Sequence, residues 1–166
     1  MSGVDPRRRA AQPARVEEAE RQLAGFIDRF SPEAAQLGRV VLGELRARLP
    51  QANLLVYDNY NALAAGFAPD ETAGHAILSL AFFPRWVSLF FFKGPLLVDP
   101  AGLLEGSGST VRHVKIRRIE DFRRPDIEDL IAQTLDLAEP PLDPEHVGRL
   151  VIKSVSAKQR PRRPAE

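Results

Sequence analysis

The sequence predicts an α+β fold: two layers, with a mainly antiparallel sheet of five or six strands packed by N-terminal and C-terminal helices. Three observations lead there. Apolar residues recur at helical spacing before residue 50 and again at 125–138. Between these stretches, short apolar runs are punctuated by turn residues. The length of 166 residues suits one domain with a real core, and 44% hydrophobic with 27% charged residues is an ordinary globular balance.

The elements follow in order. Residues 1–15, MSGVDPRRRAAQPAR, read as a basic flexible tail. A single domain is expected over 16–156, and a second basic flexible tail over 157–166. The first helix begins near Val16. Val16, Ala19, Leu23, Phe26 and Phe30 share one side, with Glu17, Glu18, Arg21 and Arg29 on the other. Ser31 can cap a second helix, Pro32 suits its first position, and Glu33 favours its positive end. Leu37, Val41 and Leu45 form its apolar stripe, and Pro50 lies past its end.

From Asn53 the pattern changes to strands. Leu54 to Asp58 is a short one, Asp58-Asn59 is turn chemistry, and Asn61 to Phe67 continues. PDETAG at 69–74 closes a hairpin. Ala76 to Phe83 and Trp86 to Lys93 flank a tight Pro84-Arg85 connection, and these two strands are expected at the centre of the sheet. The second is apolar on both parities: Trp86, Phe90 and Phe92 on one, Val87, Leu89 and Phe91 on the other. Both faces therefore need a cover. Helices supply one; the C-terminal segment or a second copy of the chain supplies the other. A homodimer is the expectation.

Asp99-Pro100 with AGLLEG reads as one helical turn ended by Gly106. A basic strand follows GSGST, and Pro125 to Ala138 is a clear helix whose Ile127, Leu130, Ile131 and Leu135 face the core. Arg149 to Ser156 adds an edge strand.

The chemistry is mostly exclusion. Without cysteine there is no disulfide framework, thiolate metal site or cysteine nucleophile. GSGST lacks the lysine and following helix of a phosphate-binding loop, and Val111 stands where a dinucleotide fingerprint needs its last glycine. The three histidines, His75, His113 and His146, show no metal-ligand spacing. No GxSxG occurs. No cofactor is expected. No apolar run is long enough for a membrane span, and the start lacks the apolar region of a secretory signal, so a cytoplasmic location is expected.

Two constellations remain. At period two, His113, Lys115 and Arg117 share one face of the basic strand, which makes either an anion-attracting stripe or a protected edge. The run Tyr57-Asp58-Asn59-Tyr60-Asn61 would line a small polar pocket, or would serve only the hairpin turn. Net charge is +1, unevenly spread: residues 1–15 carry +3 and 153–166 carry +4, which leaves −6 for the middle.

The stretches FFPRWVSLFFFKG, LLEGSGSTVRHVKIR and PDIEDLIAQTL, in this order of elements, resemble the YdhG-like domains of unknown function over roughly residues 30–138. Gly106 and Gly108 match the family's hinge, and Arg112, His113 and Ile116 its basic strand. The resemblance implies a small bacterial cytoplasmic protein with helices packed on an antiparallel sheet. Some members are described as frataxin-like iron chaperones that hold iron with acidic residues. Glu17, Glu18, Glu20 and Asp28 are the acidic residues available here, interspersed with Arg21 and Arg29, and none aligns as a definite ligand.

Three functional expectations follow. The first is a non-enzymatic binding domain for an anionic ligand or polyanion such as nucleic acid, using the basic strand and C-terminal tail. The second is a frataxin-like iron chaperone. The third is a small-molecule enzyme centred on Asp58 and its tyrosines, an idea that fails if Asp58 is buried in turn hydrogen bonds.

Overall fold

Two helices open the chain because a cap and a proline divide one apolar stripe into two. In a computed structural model that describes residues 6–165, the side chains of 6–13 excepted, α1 (Pro6–Asp28) and α2 (Pro32–Arg48) meet at Ser31. Its hydroxyl accepts from the Ala34 amide at 3.3 Å, Pro32 takes the first turn, and Arg46 and Arg48 close the negative end. α2 buries Ala34, Ala35, Gly38, Val41, Leu42 and Leu45. A Cβ on Gly38 would overlap the Phe82 ring, so the helix lies directly on the sheet at that point.

The sheet has six strands: β1 (Asn53–Asp58), β2 (Leu63–Ala68), β3 (Leu78–Phe82), β4 (Val87–Phe91), β5 (Arg112–Ile116) and β6 (Leu150–Val155). Their order is β5-β4-β3-β2-β1-β6. The first five form an antiparallel meander, and β6 lies parallel to β1 with a register shift between Val56 and Tyr57. Between β5 and β6 come α3 (Ile119–Phe122) and α4 (Pro125–Asp136). The expected α+β class, the antiparallel character and the packing of N-terminal helices on the sheet all hold.

One face of the sheet carries Leu54, Val56, Leu63, Phe67, Leu80, Phe82, Leu89, Phe91 and Ile116, all nearly or fully buried in one core with Val41, Leu45, Ile127 and Leu130 of the helices. The opposite face is built from small residues, Ala64, Gly66, Ser79, Ala81 and Ser88, with half-buried Trp86, Phe90 and Phe92 along β4.

Several expectations need correction. The centre of the sheet is β2 and β3; the Trp86 strand stands next to the edge. The C-terminal segment widens the sheet as β6 and does not cover the second face. Part of that cover comes from the loop between β2 and β3: Ala76 packs 3.7 Å from the Cβ position of Gly66, and Lys153 on β6 donates to the Glu71 carbonyl at 2.8 Å. Residues 99–106 form no helix. The Asp99 carboxylate instead accepts from the Leu103 and Leu104 amides at 3.0 and 2.9 Å, and Gly102 and Gly106 take positive φ of 66° and 117°.

The two expected tails differ as well. Residues 1–5 and 166 lie outside the described residues, but the backbone of 6–15 belongs to α1. Residues 156–163 run back against the body, and Arg162 is 4% exposed. Among the described residues no helix is long and apolar enough to cross a membrane.

Candidate anion-binding surface

Strand register gathers distant residues at one end of the sheet. Asp58 faces Leu63, Leu63 faces Phe82, Phe82 faces Val87, and Val87 faces Ile116; on the other side Asp58 faces Val155. The turn at 59–62, the turn at 83–86, the exit of β5 and the exit of β6 therefore share one end.

At the β4–β5 corner, Trp86 is the organising side chain. Its indole N–H donates to the Ser88 hydroxyl at 3.1 Å, and its ring stacks on Phe83 with centroids 5.5 Å apart. The Lys115 ammonium sits 4.8 Å from the indole centroid and the Arg117 guanidinium 5.7 Å. Both distances lie within the range where a cation is held by the ring quadrupole. Period two thus brings Lys115 and Arg117 together as expected.

His113 differs from its neighbours. Its ring tilts on Phe90 at 5.2 Å, and its Nε2 lies 3.4 Å from a Glu105 carboxylate oxygen. The backbones of Glu105 and His113 also exchange hydrogen bonds of 2.8 and 3.0 Å. Glu105 thereby closes part of the free edge of β5, and GSGST is the loop that lets the chain double back. Gly106 supplies the positive φ of that loop, and Arg112 donates to the carbonyls of Gly108 and Val111.

The Tyr57–Asn61 run sits at the β1–β2 turn. The Asn59 amide donates to the Ala62 carbonyl at 3.0 Å, which is turn chemistry. Asp58 is 2% exposed, and its carboxylate accepts from Arg162 at 2.9 Å with Arg29 at 3.6 Å. Its carbonyl accepts from the Ser156 amide and the Gln159 side chain. Both the carboxylate and the carbonyl of Asp58 are thus held by the segment after β6, with Arg29, just past α1, beside the carboxylate. The Tyr57 hydroxyl is buried without a hydrogen-bond partner among the described residues. Tyr60 is 49% exposed, with the Arg160 guanidinium 5.6 Å from its ring centroid and the Arg160 amide donating to its carbonyl at 2.8 Å.

Charge pairing sets this end apart. On the helices, Arg21 meets Glu17 and Glu18, Arg39 meets Asp28, Arg46 meets Glu20, Arg48 meets Glu128, and Arg123 meets Glu44. At the sheet end, the charged groups of Arg85, Lys115, Arg117, Arg118, Lys158, Arg160 and Arg163 have no carboxylate of the described residues within 4.0 Å, although the Asp121 carboxylate accepts from the Arg117 and Arg118 amides at 3.1 and 3.2 Å; the cations left over elsewhere are Arg15, Lys93, Arg112 and Lys153. The acidic residues of α1 are thus matched with arginines, and no group of three or more potential metal-ligating side chains is found among the described residues.

Two features escaped the sequence. Arg162 sits in a stretch whose composition signals only solvation. Asp70 and His75 form a surface pair, Oδ2 to Nδ1 at 2.8 Å, in the loop between β2 and β3. The hydrogen bond from His75 and that from the Thr72 amide hold the Asp70 carboxyl below its ordinary range. The D-x-x-x-x-H spacing around a turn was the only available sign.

Fold and surface together define an α+β domain whose sheet ends in a basic, aromatic-bearing rim. Comparison of the chain with family models, with curated proteins and with solved structures finds no match.

Proposed function

We propose that this is a non-enzymatic binding domain for a polyanion, held at the rim by Lys115, Arg117 and the basic C-terminal segment. The observation that carries the reading is the gathering, at one end of the sheet, of cations whose side chains form no ion pair among the described residues, while most helix arginines are neutralised in pairs. Such a surface gains affinity by releasing counterions from a phosphate chain. His113 has a smaller part, because Glu105 already faces it. The resemblance to YdhG-like domains and a cytoplasmic location in a bacterium belong to the same proposal; helices on one side of an antiparallel sheet support the first. The iron reading draws less support, since Glu17, Glu18, Glu20 and Asp28 each face an arginine.

A second copy of the chain is the proposed partner of the helix-free face away from the Trp86 rim, where Phe90 and Phe92 are half-buried. One sedimentation experiment reads both ideas. An oligonucleotide should co-sediment with the protein, with an affinity that falls steeply between low and moderate salt. Replacing Lys115 and Arg117 by glutamine should reduce the logarithmic salt slope by about two. Absent or salt-independent binding removes the proposal. The free chain should run at twice its 18.4 kDa mass, and a monomer removes the second copy alone.

A further inference from the structure

We infer that the polyanion is a single-stranded nucleic acid, whose unpaired bases stack on Tyr60 and on the Phe83–Trp86 pair while its phosphates follow the surrounding cations. The inference rests on the polyanion reading and narrows it. A phosphate chain alone needs only charge. This rim also presents aromatic rings on two adjacent turns, and aromatic faces are what unpaired bases add to a backbone contact.

Tyr60 is the informative residue. It stands at a hairpin tip and is 49% exposed, so the core does not account for its ring. Yet it is held firmly. Two residues earlier, Asp58 is pinned by the buried Arg162 guanidinium, which also donates to the Asn59 carbonyl at 2.5 Å. The Arg160 amide binds the Tyr60 carbonyl, and its guanidinium lies over the ring. An exposed ring fixed at its base by a buried ion pair and faced by a cation is a prepared stacking surface.

The second platform is its neighbour. Because Leu63 faces Phe82, the turn carrying Phe83 and Trp86 lies beside the turn carrying Tyr60, two strand spacings or about 10 Å away. Arg85, Arg117 and Arg118 flank the Trp86 turn and are exposed; Lys158, Arg160 and Arg163 flank the Tyr60 turn and are exposed as well. Rings and cations therefore share one end of the sheet, the combination expected of a surface that follows a single strand. In a duplex the bases are already stacked and would not reach rings at two hairpin tips.

Titration calorimetry on the full chain separates the alternatives. The ligands are a twelve-nucleotide oligothymidylate, a duplex of equal length, and polyphosphate with the same number of phosphates. The single strand should bind tightest. Tyr60→Ala should weaken it at least about fivefold, the lower bound for one lost base stack, and leave polyphosphate unchanged. Tyr60 is exposed, so this variant is expected to keep its fold, and an unchanged unfolding midpoint verifies that. If the three ligands bind alike, if the duplex binds tightest, or if Tyr60→Ala alters none, the stacking inference is overturned, although salt-dependent phosphate binding survives. If none of the three binds, the polyanion reading fails and takes this inference with it.

Discussion

Arg162 and Asp58 lie 104 residues apart, yet their side chains meet at 2.9 Å in an ion pair that is 3% and 2% exposed. The guanidinium also rests 5.7 Å from the Phe30 ring centroid, at the junction of α1 and α2. One arginine thus ties the end of the chain to both the sheet and the helical layer. Around it, Gln159 binds the Asp58 carbonyl and Arg163 the Arg29 carbonyl, so the segment after β6 lies along a defined path.

Breaking this pair from the carboxylate side should be costly. Asp58→Ala leaves a buried guanidinium without its counter-ion, and about 3–5 kcal/mol of stability should be lost. Arg162→Met should cost less, because Arg29 remains 3.6 Å from Asp58 and the new side chain still fills the apolar site. Urea unfolding at constant m-value gives both numbers. A wild-type midpoint for Asp58→Ala would show that the C-terminal segment does not dock there.

Gly38 tests the fit of α2 on the sheet. On a free helix, glycine to alanine gains about 1 kcal/mol. Here the added methyl would enter the Phe82 ring, which is 1% exposed and tilted on Phe30 at 5.7 Å. Two packed rings would have to move, so Gly38→Ala should destabilise by about 1–3 kcal/mol despite its better propensity. A stabilised variant would mean that helix and sheet stand further apart.

The Asp70–His75 pair predicts a feature on the acid side of the stability profile. Asp70 titrates below its ordinary value in the folded protein, chiefly through the hydrogen bond from His75. A carboxylate with a depressed folded pKa contributes stability that is complete above its unfolded pKa. That contribution fades as pH falls through the folded value. Asp70→Asn should therefore be less stable than wild type near neutrality, and the gap should close below pH 3.8. The pair is partly exposed, so the gap should be small and reduced by salt. A gap that is unchanged down to the acid limb would assign the effect to something other than this carboxyl.

Much of the fold was legible because its signals are local. Ser31-Pro32 marks a helix start whatever surrounds it, and Asp58-Asn59 marks a turn for the same reason. Period-two spacing put Lys115 and Arg117 on one face, and the structure brings both to Trp86. The start of α1 was less legible: Pro13 lies inside the helix, where a missing N–H normally marks a boundary. Asp99 made its capping bonds without any helix, because the same carboxylate geometry serves a glycine-bearing turn equally well.

By itself the sequence determined the class of fold, the alternation of the strands and the stretches in which positive charge is concentrated. Those properties depend on neighbours within a few residues, whose spacing is written in the chain. Only the tertiary structure decided that β6 joins β1, that Arg162 is buried, and that the basic strand and the C-terminal cations share one rim. Strand order and buried ion pairs join residues about a hundred positions apart. Their energy comes from burial and desolvation after the chain has closed on itself, which no local pattern of residues records.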